Sequence, residues 1–351
     1  MNVKEILEKA VYKGAADIFI VAGLPVSYRV GGVIVRDNDE KLVPSQTYEL
    51  LEQIYELNKD ANMNKLLSNG DDDFSFAVTG LSRFRVNAYK QRGTLSAVIR
   101  VITFSLPSPE ELGIPKTIIE TGDLGKGLVL VTGPAGSGKS TTLACVIDYI
   151  NKNKQKHIIT LEDPIEYLHR HDQSIVSQRE INVDTESYVT ALRASLRQSP
   201  DVILLGEMRD YETISVAMTA AETGHLIYST LHTLGAANTI ERIIDVFPAS
   251  EKAQIAMQLS MVLQTVISVQ LIPGVDGGQV AAFEIMNVTP AIRNMIRENK
   301  IPQIDGMLYA SNKEDMISMD SSLIQLYKNG KITKDTAIEY ATNPEMIKKK
   351  L

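Results

Sequence analysis

The sequence predicts an α/β protein in two parts, and three observations support this. Residues 1–102 contain short strands of alternating polarity and one amphipathic helix, which favours an α+β domain with a mostly antiparallel sheet. From residue 117 onward, short apolar strands alternate with helical stretches, as in an α/β sheet. A glycine-rich loop at 133–141 stands between an apolar strand and a helix, where α/β proteins bind phosphate groups.

The N-terminal part begins with an amphipathic helix near 3–13. It contains no nucleotide-binding motif of its own. The predicted strands are 17–21, 26–30, 33–36, 74–78, 82–90 and 96–101. The segment 104–109 contains two prolines, which disfavour continuous helix or strand, and it is the best linker candidate. We therefore expect domains at 1–102 and 117–351, joined by a linker at 103–116.

The larger part contains predicted strands at 158–161, 202–205 and 226–229, each followed by a helical stretch. Past residue 292 the pattern becomes helical and more charged. The terminal lysines at 348–350 are interpreted as a solvated tail. The second domain is thus expected to end in a helical C-terminal region.

Composition narrows the class of protein. The 351 residues include 36 basic and 43 acidic side chains, a net charge of −7, which argues against a broad surface for coating nucleic acid. No apolar run approaches the roughly 18 to 20 residues that cross a bilayer, so a cytoplasmic protein is expected. The single cysteine, Cys145, excludes an intrachain disulfide and a cysteine-based zinc site.

The segment Gly133–Thr141 matches the phosphate-loop (Walker A) pattern GxxxxGK[ST]. Its glycines let successive backbone N–H groups turn towards the phosphates of a nucleoside triphosphate. The lysine then reaches the β- and γ-phosphates, and the serine after it is placed to hold Mg²⁺. The predicted nucleotide-binding residues are Gly133, Gly136, Ser137, Gly138, Lys139, Ser140 and Thr141.

A second apolar strand ends at an acidic residue, the usual form of a Walker B element. Glu207 follows the strand predicted at 202–205. Its carboxylate is suited either to holding Mg²⁺ through water or to polarising the attacking water, and the sequence does not separate these roles. Capping of the next helix is the structural alternative.

An acidic cluster occupies 160–167, at the end of another predicted strand. Ligands of α/β proteins bind at the carboxyl ends of the strands, which favours water or metal positioning by this cluster. Glu162 is the leading candidate for a catalytic base.

Two histidines, His225 and His232, flank the strand that follows the Walker B element. A metal site is not expected there, because further histidine or cysteine ligands are missing at suitable spacing. Taken singly, each is more typical of a hydrogen-bonded structural histidine. As a pair, they are candidates for sensing the γ-phosphate and relaying its loss.

These segments, in this order, resemble the secretion ATPase superfamily: Walker A at 133–141, an Asp box at 160–167, Walker B at 201–207 and a His box at 223–233. Within it, the chain is similar to the ATPases that retract type IV pili, the PilT family. The short N-terminal domain, the phrase at 206–210 and the segment Ala291–Glu298 carry this similarity.

The resemblance implies a homohexameric ATPase whose subunits have a PAS-like N-terminal domain and a RecA-like ATPase domain. ATP and Mg²⁺ would bind at the cleft between the domains, near the subunit boundary. Arg193 and Arg209 correspond to family arginines that act as arginine fingers, with surface salt bridging as the alternative. Arg85 and Arg100 are weaker candidates for contacting the nucleotide. Ala135 replaces the commoner threonine at a position where the pattern is permissive.

The family function implied is pilus disassembly, seen as twitching motility. The ring would act at the cytoplasmic face of the membrane on an inner-membrane platform protein, and indirectly on pilin, without binding nucleic acid. It would meet the membrane only through these partners. Pilus assembly or type II secretion ATPases are the nearest alternative, although their usual extra N-terminal domain and four-cysteine insertion are not expected here. A RecA-like nucleic-acid translocase and a nucleotide-regulated scaffold are alternatives of other classes.

Overall fold

A computed structural model of the chain describes residues 2–58, 62–102, 106–311 and 315–351. The chain divides into two compact units. One comprises Met1–Ser105 with Glu166–Leu168, and the other comprises Leu106–Ile165 with His169–Leu351. The first three residues of the predicted linker, 103–105, lie outside the described residues, and its last residue, Lys116, begins a helix.

The first unit combines a six-stranded sheet with three helices. Its elements are α1 (Val3–Tyr12), β1 (Asp17–Ile20), β2 (Ser27–Val30), β3 (Val33–Arg36), α2 (Pro44–Leu57), α3 (Met63–Asn69), β4 (Asp71–Val78), β5 (Ser82–Gln91) and β6 (Thr94–Ile102). The strand order is β3-β2-β1-β6-β5-β4, and all neighbours are antiparallel. The predicted antiparallel sheet and the first helix are confirmed, whereas α2 and α3 were not predicted.

Alternation along β5 shows why this sheet has one buried face. Phe84, Val86 and Ala88 are fully buried and share a core with Leu50 and Ile54 of α2. The residues between them on β5 point to the opposite face, as the period of two requires. That opposite face carries ion pairs, among them Arg85 with Asp73 and Arg100 with Asp17.

The second unit contains a seven-stranded sheet. Its strands are β7 (Gly127–Thr132), β8 (His157–Glu162), β9 (Ile175–Glu180), β10 (Val202–Leu205), β11 (Leu226–Leu231), β12 (Leu263–Pro273) and β13 (Gln279–Asn287). The order is β13-β12-β7-β11-β10-β8-β9. All pairs are parallel except β12 with β13, which form an antiparallel hairpin.

Helices cover both faces of this sheet, which explains the continuous apolar run of β7. Leu128 and Leu130 join the core on one face, and Val129 and Val131 join the core on the other. The helices are α4 (Lys116–Ile119), α5 (Lys139–Asn153), α6 (Tyr188–Ser195), α7 (Tyr211–Glu222), α8 (Ala236–Asp245), α9 (Lys252–Val262), α10 (Pro290–Arg297), α11 (Gln303–Ala310), α12 (Met319–Lys328), α13 (Lys334–Glu339) and α14 (Pro344–Lys348). Cys145 is buried in α5.

The C-terminal helices form a small core on the β12–β13 hairpin. Ile272 and Ala282 of the hairpin pack with Leu323, Ala337 and Ile347. The lysines at 348–350 are exposed, as predicted for a solvated tail. Among the described residues, no helix has both the length and the apolar character needed to cross a membrane.

The segment Ala291–Glu298 lies mostly in α10 and divides into a buried and an exposed side. Ile292 and Ile296 are fully buried in the main core. Arg293 donates to the carbonyl oxygens of Ser260 and Met261 at the end of α9, at 2.6 and 3.0 Å. This arginine therefore supplies hydrogen bonds to carbonyl groups that a helix end leaves without intrahelical partners.

Candidate nucleotide site

The phosphate loop lies at the carboxyl end of β7 and leads directly into α5. Gly133, Gly136 and Gly138 adopt φ values of +143°, +75° and +94°. A Cβ atom on Gly133 would approach the Val269 carbonyl oxygen to 2.2 Å, a distance that real side chains essentially never reach. The loop conformation therefore requires glycine at this position for two reasons, backbone angle and space.

Lys139 is the first residue of α5 and is buried. Its Nζ donates to the carbonyl oxygens of Gly133 and Pro134, both at 2.8 Å. The ammonium group is thus held against the inner side of the loop, within reach of an anion that enters it. Ser140 and Thr141 follow in the first turn of the helix, whose N-terminus favours negative charge.

Ser137 provides an independent test of whether the loop fits a phosphate group. Its side chain is buried, and its Oγ has no hydrogen-bond partner among the described residues. A buried hydroxyl without a partner is costly unless a ligand or water satisfies it. Together with Lys139, this hydroxyl fits the oxygen atoms of a bound polyphosphate.

Parallel strands bring the predicted motifs to one edge of the sheet. The phosphate loop follows β7, His232 follows β11, Glu207 lies two residues after β10, and Glu162 ends β8. These four strands are consecutive neighbours in the order β7-β11-β10-β8. Since the carboxyl ends of parallel strands meet at one edge, four predicted motifs share one side of the molecule.

Glu207 lies between two basic side chains at this edge. Its side chain is only 13% exposed, and its Oε1 lies 2.6 Å from a guanidinium nitrogen of Arg209. Its Oε2 lies 3.4 Å from Nε2 of His232. A cavity of about 450 Å³ opens beside these three side chains, and Arg242 of α8 also lines it. Arg242 was not predicted, because nothing in its local sequence marks it.

Glu162 is held in place from its own strand and from the next. The Thr160 hydroxyl donates to Glu162 Oε1 at 2.6 Å, and the Gln178 amide donates to the same oxygen at 3.3 Å. This arrangement fixes the carboxylate at the end of β8. The acid is therefore oriented before any nucleotide arrives.

Tyr188, at the start of α6, is a site residue that the sequence did not indicate. Burial raises its pKa, and the negative charges of Glu207, Asp163 and Glu162 raise it further. A Cβ on Gly206 would lie 2.7 Å from the Tyr188 hydroxyl, so the ring occupies the space beside the Walker B turn. The tyrosine hydroxyl thus stays protonated and neutral among these acidic side chains.

Of the two predicted arginine fingers, one faces this edge. Arg209 pairs with Glu207, as described above. Arg193 of α6 instead donates to Glu212 at 2.8 Å, and both partners are about half exposed. Within one chain Arg193 forms a surface ion pair, the alternative recognised from the sequence.

The structure does not place His225 with His232. His225 precedes β11, and its Nδ1 lies 3.0 Å from the Ala220 carbonyl oxygen. With a strand rise of about 3.3 Å per residue, the two histidines are separated by about 20 Å. They lie at the two ends of β11, as their flanking positions in the sequence imply, and of the two only His232 contacts Glu207 in the described part of the chain.

Arg85 and Arg100 belong to the first unit, where they are direct cross-strand neighbours on β5 and β6. Arg85 pairs with Asp73 at 2.7 Å. Arg100 pairs with Asp17 at 3.2 Å. Each like charge is thus accompanied by an aspartate, which offsets the repulsion between them.

A larger cavity of about 600 Å³ adjoins the phosphate loop within the second unit. Ser137 and Thr141 line it on the loop side, and Leu271 and Phe283 line it from the β12–β13 hairpin. Residues 110–114 and 329–331 complete its walls. Its volume and mostly apolar walls suit a nucleoside base and sugar. Sequence reasoning missed it because its walls come from distant segments.

Among the described residues, no cluster of three or more histidine, cysteine, aspartate or glutamate side chains is suited to hold a metal ion. In P-loop proteins the Mg²⁺ ion is instead held jointly by the nucleotide phosphates and by a few oxygen atoms of the protein. An α/β sheet with this loop, and with acids after two neighbouring strands, defines a P-loop ATPase.

The chain belongs to the type II/IV secretion system protein family, which matches residues 1–321. It is 47% identical over 345 residues to the type IV pilus retraction ATPase PilT of Pseudomonas aeruginosa, covering 98% of this chain and 99% of that protein. It is 49% identical over 278 residues to a twitching motility protein of Neisseria gonorrhoeae, covering 79% and 74% of the two chains.

Comparison with solved structures gives the same family as the sequence relatives. A crystal structure of the pilus retraction motor PilT with bound ADP superimposes with a TM-score of 0.90 at 44% identity, covering 99% of each chain. The predicted fold class is confirmed: a PAS-like α+β N-terminal domain precedes a RecA-like P-loop ATPase domain with a helical C-terminal region. The predicted resemblance to retraction ATPases is likewise confirmed.

Proposed function

We propose that this chain is the ATP-hydrolysing motor of type IV pilus retraction, the activity behind twitching motility. The observation that carries the proposal is the near full-length similarity to PilT, combined with a complete set of motifs at one sheet edge. Retraction rests on that similarity, because the motifs alone specify hydrolysis and not the direction of work.

In this proposal the triphosphate occupies the loop at 133–141. Lys139 exchanges the carbonyl oxygens of Gly133 and Pro134 for phosphate oxygens, and Ser137 gains the partner that it lacks among the described residues. Ser140 and Glu207 are the residues assigned to Mg²⁺, Glu207 through water. When bound, Mg²⁺ neutralises charge on the β- and γ-phosphates. The base and ribose occupy the 600 Å³ cavity.

Glu207 is assigned to polarise the attacking water, because it faces the smaller cavity and lies between Arg209 and His232. Glu162, held by two hydrogen bonds, is assigned as the second carboxylate that orients this water or its proton. His232 reports the state of the γ-phosphate through its contact with Glu207. Arg209 supplies positive charge as the phosphoryl group is transferred.

The assembly proposed is a homohexamer in which Arg193, Arg85 and Arg100 leave their aspartate or glutamate partners to meet a nucleotide. The domains proposed remain 1–102 and 117–351, with the linker at 103–116. The ring acts at the cytoplasmic face of the membrane on an inner-membrane platform protein. ATP-driven domain motion is transmitted to that protein, which removes pilin subunits.

Steady-state phosphate release by the purified chain tests the enzymatic part. Lys139→Ala is expected to abolish release, because it removes the buried ammonium group that the loop carbonyls hold in place for the β- and γ-phosphates. Lys152→Ala is the matched control: it lies on the same helix, is 60% exposed and pairs only with Asp148 among the described contacts. Equal activity of the Lys139→Ala variant and wild type would refute the site.

Deletion of the gene in cells tests the direction of work. Cells that lack a retraction motor accumulate pili and lose twitching motility. Loss of all pili would instead support the assembly alternative. An unchanged phenotype would argue that the chain has no role in pilus dynamics.

A further inference from the structure

Glu284, in the middle of β13, is a buried carboxylate that joins two helices of the second unit. The residue is 7% exposed. Its Oε1 accepts a hydrogen bond from the backbone N–H of Ala236 at 2.8 Å, and its Oε2 accepts one from Met319 at 3.3 Å. These are the first residues of α8 and α12. Helix N-termini present unpaired N–H groups and favour negative charge, so one side chain satisfies both.

The same carboxylate is linked across the sheet to the phosphate-loop strand. Glu284 faces Ser268 on β12, and Ser268 faces Thr132, the last residue of β7. The Ser268 hydroxyl accepts from the backbone N–H of Gly235 at 3.1 Å. Adjacent strands therefore hold two consecutive N–H groups, those of Gly235 and Ala236, at the start of α8.

This start of α8 lies only four residues after His232. Thr233, next to the histidine, is tied into the helix by a 2.8 Å contact between its hydroxyl and that of Thr239. The segment between β11 and α8 is thus short and fixed at its far end. Its position sets where the His232 ring stands relative to Glu207, and α8 also carries Arg242 into the same cavity.

Burial of a carboxylate costs free energy, which the hydrogen bonds of Glu284 offset. Burial raises the pKa of Glu284, and its two backbone N–H partners act in the opposite direction. An apolar residue of similar size would avoid the desolvation cost, yet it would leave both helix ends unsatisfied. A single acceptor for two helices fixes their relative position, which an apolar contact does less specifically.

We infer that Glu284 is a positioning residue for ATP hydrolysis: it fixes the start of α8 and thereby holds His232 against Glu207. The inference rests on the role of His232 in the proposed function. It extends that function to a residue on β13, a strand without any of the predicted motifs. Glu284 does not touch the reacting atoms and acts only through the segment that it anchors.

A double-mutant cycle with Glu284→Gln and His232→Ala tests the inference. The amide keeps the shape of the side chain but replaces one acceptor by a donor, so one helix N–H loses its partner. We expect Glu284→Gln to lower kcat about tenfold while the ADP dissociation constant stays within about threefold. In the His232→Ala background, the same change should alter kcat less than about twofold, because its effect passes through the missing ring.

Three results would overturn the inference: an unchanged kcat for Glu284→Gln, effects that multiply in the double variant, or an unchanged kcat for His232→Ala. If kcat is unchanged for His232→Ala while Lys139→Ala still abolishes hydrolysis, the inference about Glu284 fails and the proposed function stands. Ser318→Ala is the control for stability alone. It removes the side-chain cap of α12, where Ser318 Oγ accepts from Ser321, and should lower the melting temperature with kcat unchanged.

Ser268→Ala keeps the inference testable if Glu284→Gln fails to fold. It removes the acceptor for the Gly235 N–H and leaves Glu284 in place. We expect kcat to fall in the same direction but less, again with no further effect in the His232→Ala background. A multiplicative effect would show that the anchor acts independently of His232 and would contradict the inference.

Discussion

Replacing Gly133 by alanine should disable the phosphate loop without unfolding the protein. The added Cβ would lie 2.2 Å from the Val269 carbonyl oxygen and 2.6 Å from Ser137 Oγ. The serine hydroxyl can rotate away, but the carbonyl belongs to the backbone of β12, which is paired on both sides, with β13 and with β7. The loop itself must therefore retreat by at least 0.8 Å to reach even 3.0 Å, the shortest distance that side chains tolerate.

The cost has two parts. A non-glycine residue in a rarely occupied φ region costs about 1–3 kcal/mol of stability. A misplacement of about 1 Å at a reacting centre costs on the order of 100-fold in catalytic efficiency, or about 2.7 kcal/mol. We therefore expect kcat/KM for ATP to fall about 100-fold, with a melting temperature only a few degrees lower.

The assay compares nucleotide binding by calorimetry with phosphate release, and Gly93→Ala is the matched control. Gly93 also has a positive φ, +78°, but a Cβ there meets no described atom within 4 Å. Gly93→Ala therefore introduces backbone strain without a steric clash, at a position in the first unit. Gly93→Ala should keep full activity at a similar loss of stability. Tight nucleotide binding and normal turnover by Gly133→Ala would refute the reasoning.

Four further predictions concern single side chains. Glu207→Gln should lower turnover by about 10²- to 10⁴-fold, with ADP affinity in calorimetry changed only a few-fold. His232→Ala should reduce kcat, whereas His225→Ala, at the opposite sheet edge, should leave it within about twofold; equal losses would contradict the placement. Arg193→Ala should change unfolding free energy by less than about 1 kcal/mol, so a large fall in kcat would indicate action on a neighbouring subunit's nucleotide. Burial lowers the pKa of His169. As pH falls below about 6.5, the unfolded chain therefore binds a proton at this residue before the folded chain does, and the folded state loses stability. Melting temperatures should decline from pH 7 to pH 5.5, and they should decline less in His169→Gln.

The local sequence was sufficient to predict the phosphate loop and the acidic residues that stand at strand ends. The run at 128–131 is buried on both faces, and the glycines that follow it have the positive φ values that the loop pattern requires. Glu162 and Glu207 were found because each stands where a buried strand ends. Parallel pairing, which the alternation of strands and helices predicts, then brings those ends together.

The remaining features depend on contacts between distant segments. Tyr188 enters the site from α6, and the 600 Å³ cavity is lined by residues from 110 to 331, so no local pattern reveals either. His225 and His232 flank β11, so the extended strand separates them by its full length, and the contact of His232 with Glu207 depends on how β11 pairs with β10.

The central claim is that ATP hydrolysis at the phosphate loop powers pilus retraction. Its most direct test is the retraction of fluorescently labelled pili in cells that lack the gene, complemented with wild type, Lys139→Ala or Lys152→Ala. Wild type and Lys152→Ala should restore retraction, and Lys139→Ala should not, although it accumulates to the same level. Retraction restored by Lys139→Ala would contradict the account.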